Sequence, residues 1–165
     1  MRITLKYIIQ FVLLVLLQVL VLNNIKFLDF INPYLYILFI ITLPINIPRI
    51  LLLLIAFALG ISIDIFCNTL GIHAFATVFA AFMKKPLTRL FAPRDNYEYF
   101  APSIHTFGIS QFAKYALLMV LIHHIVLFSI EAFSFYNIDL LLLKIFFNSI
   151  FTIVLLLSIE RFKLR

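Results

Sequence analysis

The sequence predicts an all-α membrane protein in which six transmembrane helices form one compact bundle. Hydrophobic residues account for 65% of its 165 residues, and charged residues for only 12%. A soluble domain is about 45–50% apolar and about 25% charged, so this composition lies far outside the soluble range. Mean hydropathy is correspondingly high, at +1.16. Residues 1–165 are therefore predicted to form a single integral membrane domain.

A spanning helix needs about 20 apolar residues, and six segments approach this length. The predicted spans cover residues 7–22, 33–47, 48–66, 70–83, 109–130 and 138–159. No small-residue cleavage site follows the first span, which predicts a retained anchor. Asn32 and Pro33 form a cap and a first helical position for the second span, which Pro44 is expected to kink or end early. Tight connections at 46–49 and 68–71 predict antiparallel hairpins.

The distribution of basic residues predicts the orientation of the bundle. Eleven of the thirteen Lys and Arg residues fall on one predicted side, and Lys26 and Lys144 fall on the other. The positive-inside rule then places both termini and the loop 84–108 in the cytoplasm, with the protein in the inner membrane. Nucleic-acid binding is not predicted from the net charge of +6, because the basic residues separate apolar spans and form no aromatic-interleaved face.

The loop 84–108 is the one sizeable hydrophilic region. Its basic residues are candidates for contact with the inner leaflet or with a cytoplasmic partner: Lys84, Lys85, Arg89 and Arg94. Anionic lipid would hold such a segment with about 1 kcal/mol per basic residue. A docking surface for a cytoplasmic protein is the alternative, and the sequence leaves both interpretations open.

Asp64 is the most informative polar residue, because an acid inside an apolar span is costly if lipid surrounds it. It is predicted either to cap the turn at Asn68–Gly71 or to contact a partner helix, a ligand or a lipid headgroup. Gly60 lies four residues earlier on the same helix face, where the missing side chain lets another helix approach. His73 follows the turn closely, so an acid–imidazole hydrogen bond to Asp64 is expected.

Other polar residues predict no catalytic or metal site. Cys67 is the single cysteine, which excludes an internal disulfide and a thiol-based metal cluster. His123 and His124 are adjacent and so point to different faces, which favours interhelical hydrogen bonding over metal binding. Asn148 and Ser149 are likewise expected to bond across helices. The sequence contains no recognisable pairing of a nucleophile with a base, so we predict that the protein is not an enzyme and binds neither a cofactor nor a metal.

The run from Phe57 to Phe75, FALGISIDIFCNTLGIHAF, resembles the signature of the MreD family of rod-shape-determining membrane proteins. The resemblance rests on Gly60, three intervening residues and Asp64 at the end of a span, followed by Leu-Gly and a small-residue entry into the next span. The preceding hairpin 32–49, the chain length and the basic ends also fit. The resemblance covers the whole chain in outline and is specific mainly over 30–85.

The resemblance implies a non-enzymatic membrane scaffold of the bacterial elongation machinery, which regulates cell shape and peptidoglycan synthesis. It implies binding to an MreC-like single-span protein, and association with MreB, RodA and a class B penicillin-binding protein. Small-residue surfaces of the third and fourth spans would then receive a partner helix. The family fold is similar to the substrate-binding subunits of energy-coupling-factor transporters. A vitamin or small-molecule transporter subunit, with an outward-facing pocket near Asp64 and His73, is therefore the alternative.

Overall fold

The computed structural model describes residues 2–25, 31–92, 101–133 and 136–163. The helices are α1 (Arg2–Leu20), α2 (Ile37–Thr42), α3 (Arg49–Cys67), α4 (Ile72–Phe91), α5 (Ile104–Phe107), α6 (Ile109–Ala132) and α7 (Ile138–Phe162), with a short 3₁₀ turn at Leu22–Asn24. Helix α4 packs between α3 and α6, while α7 packs on α6 and α1 packs on α3.

Four segments of the described chain are long and apolar enough to cross a membrane. They are Leu5–Asn24, Arg49–Cys67, Ile109–Ala132 and Ile138–Phe162. The predicted starts of the third, fifth and sixth spans agree with α3, α6 and α7 to within one residue. The surface has the same character, because α1, α3 and α7 expose large apolar side chains while polar side chains are buried between helices. This arrangement suits a bundle whose solvent is lipid.

The second predicted span, residues 33–47, is only partly helical. Helix α2 contains six residues, all buried, and Tyr36 rather than Asn32 precedes its first residue. The expected early end at Pro44 is confirmed, because Leu43 is extended with ψ 148°, as the residue before a proline prefers. The backbone before α2 is irregular yet enclosed by protein, the setting in which a membrane protein tolerates such backbone.

The fourth predicted span, residues 70–83, is too short. Helix α4 continues to Phe91, with Pro86 inside it, so the predicted loop from residue 84 begins with two more helical turns. Lys84, Lys85 and Arg89 lie on this extension, and α4 is not one of the four apolar candidates. The short helix α5 also lies within the predicted loop.

Candidate functional site

Asp64 links the end of α3 to the start of α4. Its side chain is 1% exposed. Oδ1 accepts the Thr69 hydroxyl hydrogen and the His73 backbone N–H at 3.1 Å, and Oδ2 accepts the Ala74 N–H at 2.8 Å. The first N–H groups of a helix have no partner within the helix, and a carboxylate there also interacts favourably with the helix dipole. The geometry therefore matches the capping interpretation of Asp64.

The turn that carries this cap requires special backbone geometry. Asn68 has φ +54° and Gly71 has φ +84°, both in the left-handed region. Gly60 permits close helix contact, since an added Cβ would lie 2.7 Å from both the Ala74 nitrogen and the His73 carbonyl oxygen. The expected close approach at Gly60 is thus made by α4 of the same chain, which occupies the surface that a partner helix would have used.

The prediction of a hydrogen bond between Asp64 and the imidazole of His73 is wrong. Only the backbone N–H of His73 reaches Asp64. The ring Nδ1 lies 3.2 Å from the hydroxyl of Tyr36 instead. Because the backbone serves the cap, the ring is free to turn toward the bundle interior.

Tyr36 bridges two histidines on different helices. Its fully buried hydroxyl lies 3.2 Å from His73 Nδ1 and 2.8 Å from His123 Nε2. A hydroxyl carries one hydrogen, so bridging two nitrogens as donor and acceptor uses an N–H from one ring. Nδ1 of His123 is buried without a partner, and an unpaired buried N–H is rarer than an unpaired acceptor. This assigns His123 Nε2–H as donor to Tyr36, Tyr36 O–H as donor to His73 Nδ1, and the His73 hydrogen to Nε2.

His124 and Tyr34 extend this cluster. His124 Nδ1 donates to the Val120 carbonyl at 2.9 Å and lies 3.3 Å from Ser149 Oγ on α7. The Tyr34 ring lies 5.7 Å, 6.4 Å and 5.4 Å, centroid to centroid, from the rings of His73, His123 and His124. The two adjacent histidines have different hydrogen-bond partners, but their rings lie 5.3 Å apart and both lie against Tyr34, so they do not point to fully separate faces as predicted. We call Tyr34, Tyr36, His73, His123 and His124 the ring cluster.

The irregular segment that carries Tyr34 and Tyr36 is held by side chains of two helices. Gln18 of α1 accepts the Leu35 N–H at 2.8 Å and donates to the Pro33 carbonyl at 3.1 Å. On α7, Asn148 Oδ1 and Thr152 Oγ1 accept two further backbone N–H groups of the segment, at 2.6 Å and 3.0 Å. These side chains satisfy backbone groups that neither a helix nor lipid could satisfy.

Lys84 performs the equivalent function at the other end of α2. Its Nζ donates to the carbonyl oxygens of Ile40 at 2.7 Å, Ile41 at 3.3 Å and Leu43 at 2.6 Å. The residue is 2% exposed, and a cation at a helix C-terminus is favoured by unsatisfied carbonyls and by the helix dipole. The prediction that Lys84 faces the inner leaflet or a cytoplasmic partner is therefore corrected.

The remaining basic candidates are not part of this interior network. Lys85 and Arg89 are exposed on α4, so they remain available for lipid or protein contact. Arg94 lies outside the described residues, as does most of the aromatic part of the predicted loop. Arg49 lies on the same side of the bundle, with its guanidinium carbon 4.2 Å from the centre of the Phe82 ring.

A cavity of about 390 Å³ opens beside the α3–α4 turn, and we call it the turn cavity. It lies between the end of α1, the segment before α2, the turn itself and the end of α6. Its polar lining includes Asn23, Asn32, Cys67, Thr69, His73 and Glu131. Tyr34 also lines it, so the ring cluster forms part of its wall. The described residues contain no group of three or more metal-ligating side chains.

Sequence reasoning missed Tyr34, Tyr36 and Gln18, although each had a signal. Gln18 is a polar side chain within an apolar span, which in membrane helices commonly hydrogen-bonds to another segment. Tyr34 and Tyr36 carry hydroxyl groups in a segment that was predicted as an ordinary span. Their convergence on three histidines depends on the tertiary fold.

The fold and site define a class: an all-helical protein of membrane-protein character, with a buried polar cluster beside a polar cavity. In comparisons with known proteins, no family model, no curated protein and no solved structure matches this chain.

Proposed function

We propose that this protein is a non-enzymatic membrane scaffold of the MreD type, which regulates cell shape and peptidoglycan synthesis by binding an MreC-like single-span partner. The supporting observation is how the interior polar groups are used. Asp64 and Lys84 both cap helices inside the chain, and Tyr36 bridges two histidines. These buried acidic, basic and imidazole side chains therefore stabilise the bundle, and its outward helix faces are apolar.

The proposal includes six crossings, with residues 31–47 as a broken second crossing. Two hydrogen bonds support this path: Gln10 bonds Thr42 at 3.0 Å, and Gln18 bonds the Leu35 N–H at 2.8 Å. The segment therefore runs antiparallel to α1. Helix α4 then runs back along α3 as the fourth crossing. With the positive-inside rule, both termini lie in the cytoplasm and the turn cavity faces outward.

The partner helix is proposed to bind the apolar groove between α1 and α3. This groove encloses about 410 Å³ and is lined by residues including Tyr7, Phe11, Ile55 and Ala58. We propose this groove in place of the surface at Gly60, because α4 of the same chain already covers that surface. Cross-linking tests the site: in a Cys67→Ser background, Ala58→Cys should cross-link to a co-expressed MreC-like protein. Val154→Cys, exposed on α7, is the matched control, and equal cross-linking at both positions would contradict this surface.

Co-purification tests the scaffold function as a whole. The detergent-extracted protein should retain an MreC-like single-span protein, and depletion of the chain should round the cells. MreB, RodA and a class B penicillin-binding protein are expected as further members of the assembly. Retention of transporter ATPases in place of the MreC-like protein would reject the scaffold.

A second candidate function is the substrate-binding subunit of a small-molecule transporter. The turn cavity favours it, because polar side chains surround a volume of about 390 Å³ next to His73. This candidate predicts co-purification with transporter ATPases and uptake of a small molecule that is lost on deletion. Normal uptake together with rounded cells would leave the scaffold as the function.

A further inference from the structure

We propose that the turn cavity is a binding site for a small organic molecule that carries a protonated amine and an oxygen acceptor. The inference rests on the chemistry of the cavity wall and goes beyond the scaffold proposal, on which it does not depend. At about 390 Å³, the cavity lies within the range of about 300–1,000 Å³ that is usual for ligand pockets. Phe66, Ile72 and Leu127 supply apolar walls for the body of such a molecule.

Each side-chain amide of the wall donates at least one hydrogen within the protein. Asn23 Nδ2 donates to Cys67 Sγ at 3.0 Å, and Asn32 Nδ2 donates to Asn23 Oδ1 at 3.0 Å. Asn24 Nδ2 donates to two carbonyls of the last turn of α1, at 3.2 Å and 2.9 Å. Both hydrogens of the Asn24 amide are therefore used, and Asn23 and Asn32 keep one each.

Acceptors also remain. Asn32 Oδ1 is buried without a partner, and the Thr69 hydroxyl gives its hydrogen to Asp64, which leaves its oxygen as an acceptor in the lining. Glu131 is the only lining residue, among those described, with a formal charge at neutral pH. Lys144 lies 3.4 Å from one Glu131 oxygen but is not in the lining, and such a partly exposed ion pair is weak. Together with the carboxylate, these acceptors favour a ligand that carries a cationic donor.

His73 supplies the complementary donor. The hydrogen-bond directions within the ring cluster place its hydrogen on Nε2, because Nδ1 accepts from Tyr36. The residue is 7% exposed and lines the cavity, so Nε2–H is available to a ligand oxygen. An amine toward Glu131 and an oxygen toward His73 would therefore be bound together, with an apolar body between them.

Cys67 allows a direct test, because it is the single cysteine and lines the cavity. The full chain in nanodiscs is labelled with N-ethylmaleimide in the presence of tyramine, which carries an amine, a ring and a hydroxyl. At about ten times its dissociation constant, tyramine should slow labelling about tenfold. The matched anion, 3-(4-hydroxyphenyl)propionate, should give no comparable protection. Equal protection by both compounds, or protection by neither, would overturn the proposal.

Two variants assign the effect to the cavity wall. Glu131→Gln removes the charge at an exposed position and should raise the tyramine concentration needed for protection by about threefold, which corresponds to an exposed ion pair. Asp139→Asn removes another exposed charge, at the start of α7 and outside the cavity lining, and should change nothing. Unchanged protection in Glu131→Gln, or an equal loss in both variants, would reject Glu131 as the amine-binding group.

Discussion

Oδ2 of Asp64 accepts the backbone N–H of Ala74 at 2.8 Å, so the last turn of one helix fixes the first turn of the next. Thr69 and the His73 N–H share the other oxygen. Oδ1 therefore accepts two hydrogen bonds and Oδ2 accepts one, within the capacity of one carboxyl side chain. The buried acid in the apolar segment is therefore satisfied by three hydrogen-bond donors of the adjacent turn and helix.

Replacement of Asp64 tests this cap. Asp64→Leu should lower the free energy of unfolding by about 3 kcal/mol, because it leaves three donors unpaired. Asp64→Asn keeps one acceptor oxygen but leaves at least one buried donor facing an amide N–H₂, and should cost about 1–2 kcal/mol. Thermal unfolding in detergent measures both. If the two variants were equally unstable, the charge rather than the cap geometry would be essential. Asp139→Asn, at an exposed position, is the control.

Gly60→Ala should destabilise the α3–α4 pair by about 1–3 kcal/mol, the usual effect of overpacking. The added methyl would meet the Ala74 nitrogen and the His73 carbonyl oxygen at 2.7 Å, and neither is a flexible side chain. Gly71→Ala separates packing from conformation: its Cβ would meet nothing within 4 Å, but φ is +84°. That variant should cost only about 1 kcal/mol. Equal effects in the two variants would argue against a steric function for Gly60.

Lys84→Met should cost about 1–3 kcal/mol, because it leaves buried carbonyl groups at the end of α2 without their donor. Lys85→Met, at the adjacent exposed position, should change stability by no more than about 0.5 kcal/mol. Chemical unfolding in detergent compares the two without any lipid charge. If Lys85→Met lowered stability as much as Lys84→Met or more, Lys84 would not be the cap of α2. The sequence-based prediction that Lys84 contacts lipid or a cytoplasmic partner would then be preferred.

Tyr36→Phe should be more destabilising than Tyr115→Phe. The Tyr36 hydroxyl bonds two histidines, whereas the Tyr115 hydroxyl bonds only the Ile41 carbonyl, at 3.2 Å. Hydrogen bonds inside membrane proteins contribute about 0.6 kcal/mol on average and up to about 1.7, so we expect about 1–2 kcal/mol against about 0.6. Both rings are fully buried, so the two variants are matched in packing and differ in the hydrogen bonds that they lose. An equal loss would show that the bridge adds nothing to an ordinary hydrogen bond.

The orientation of the chain can be tested with its own cysteine. If the turn cavity faces outward, a membrane-impermeant maleimide should label Cys67 in intact spheroplasts. In a Cys67→Ser background, Lys85→Cys should be labelled only after permeabilisation, because the opposite end of α4 then faces the cytoplasm. The reverse pattern would invert the topology that the distribution of basic residues predicts.

The long helices were predictable because their signals are local. The starts of α3, α6 and α7 follow from apolar runs that begin at a proline, a glycine and an asparagine. The capping alternative for Asp64 also came from local spacing. The break in the second segment could not be predicted from local spacing. Residues 33–43 form a continuous apolar run, and the side chains that satisfy the segment's backbone lie on other helices. Lys84 was misassigned because lysine beside a basic loop is usually exposed.

The irregular segment before α2 also constrains the order in which the protein can be assembled. During synthesis it emerges before α7, yet Asn148 and Thr152 of α7 accept two of its backbone N–H groups. In the proposed membrane topology, these two N–H groups would lack a protein partner until α7 is inserted, because lipid offers none. The segment would then complete its hydrogen bonds only after α7 is made. A nascent chain that stops before α7 would leave this part of the bundle open to quality-control proteases.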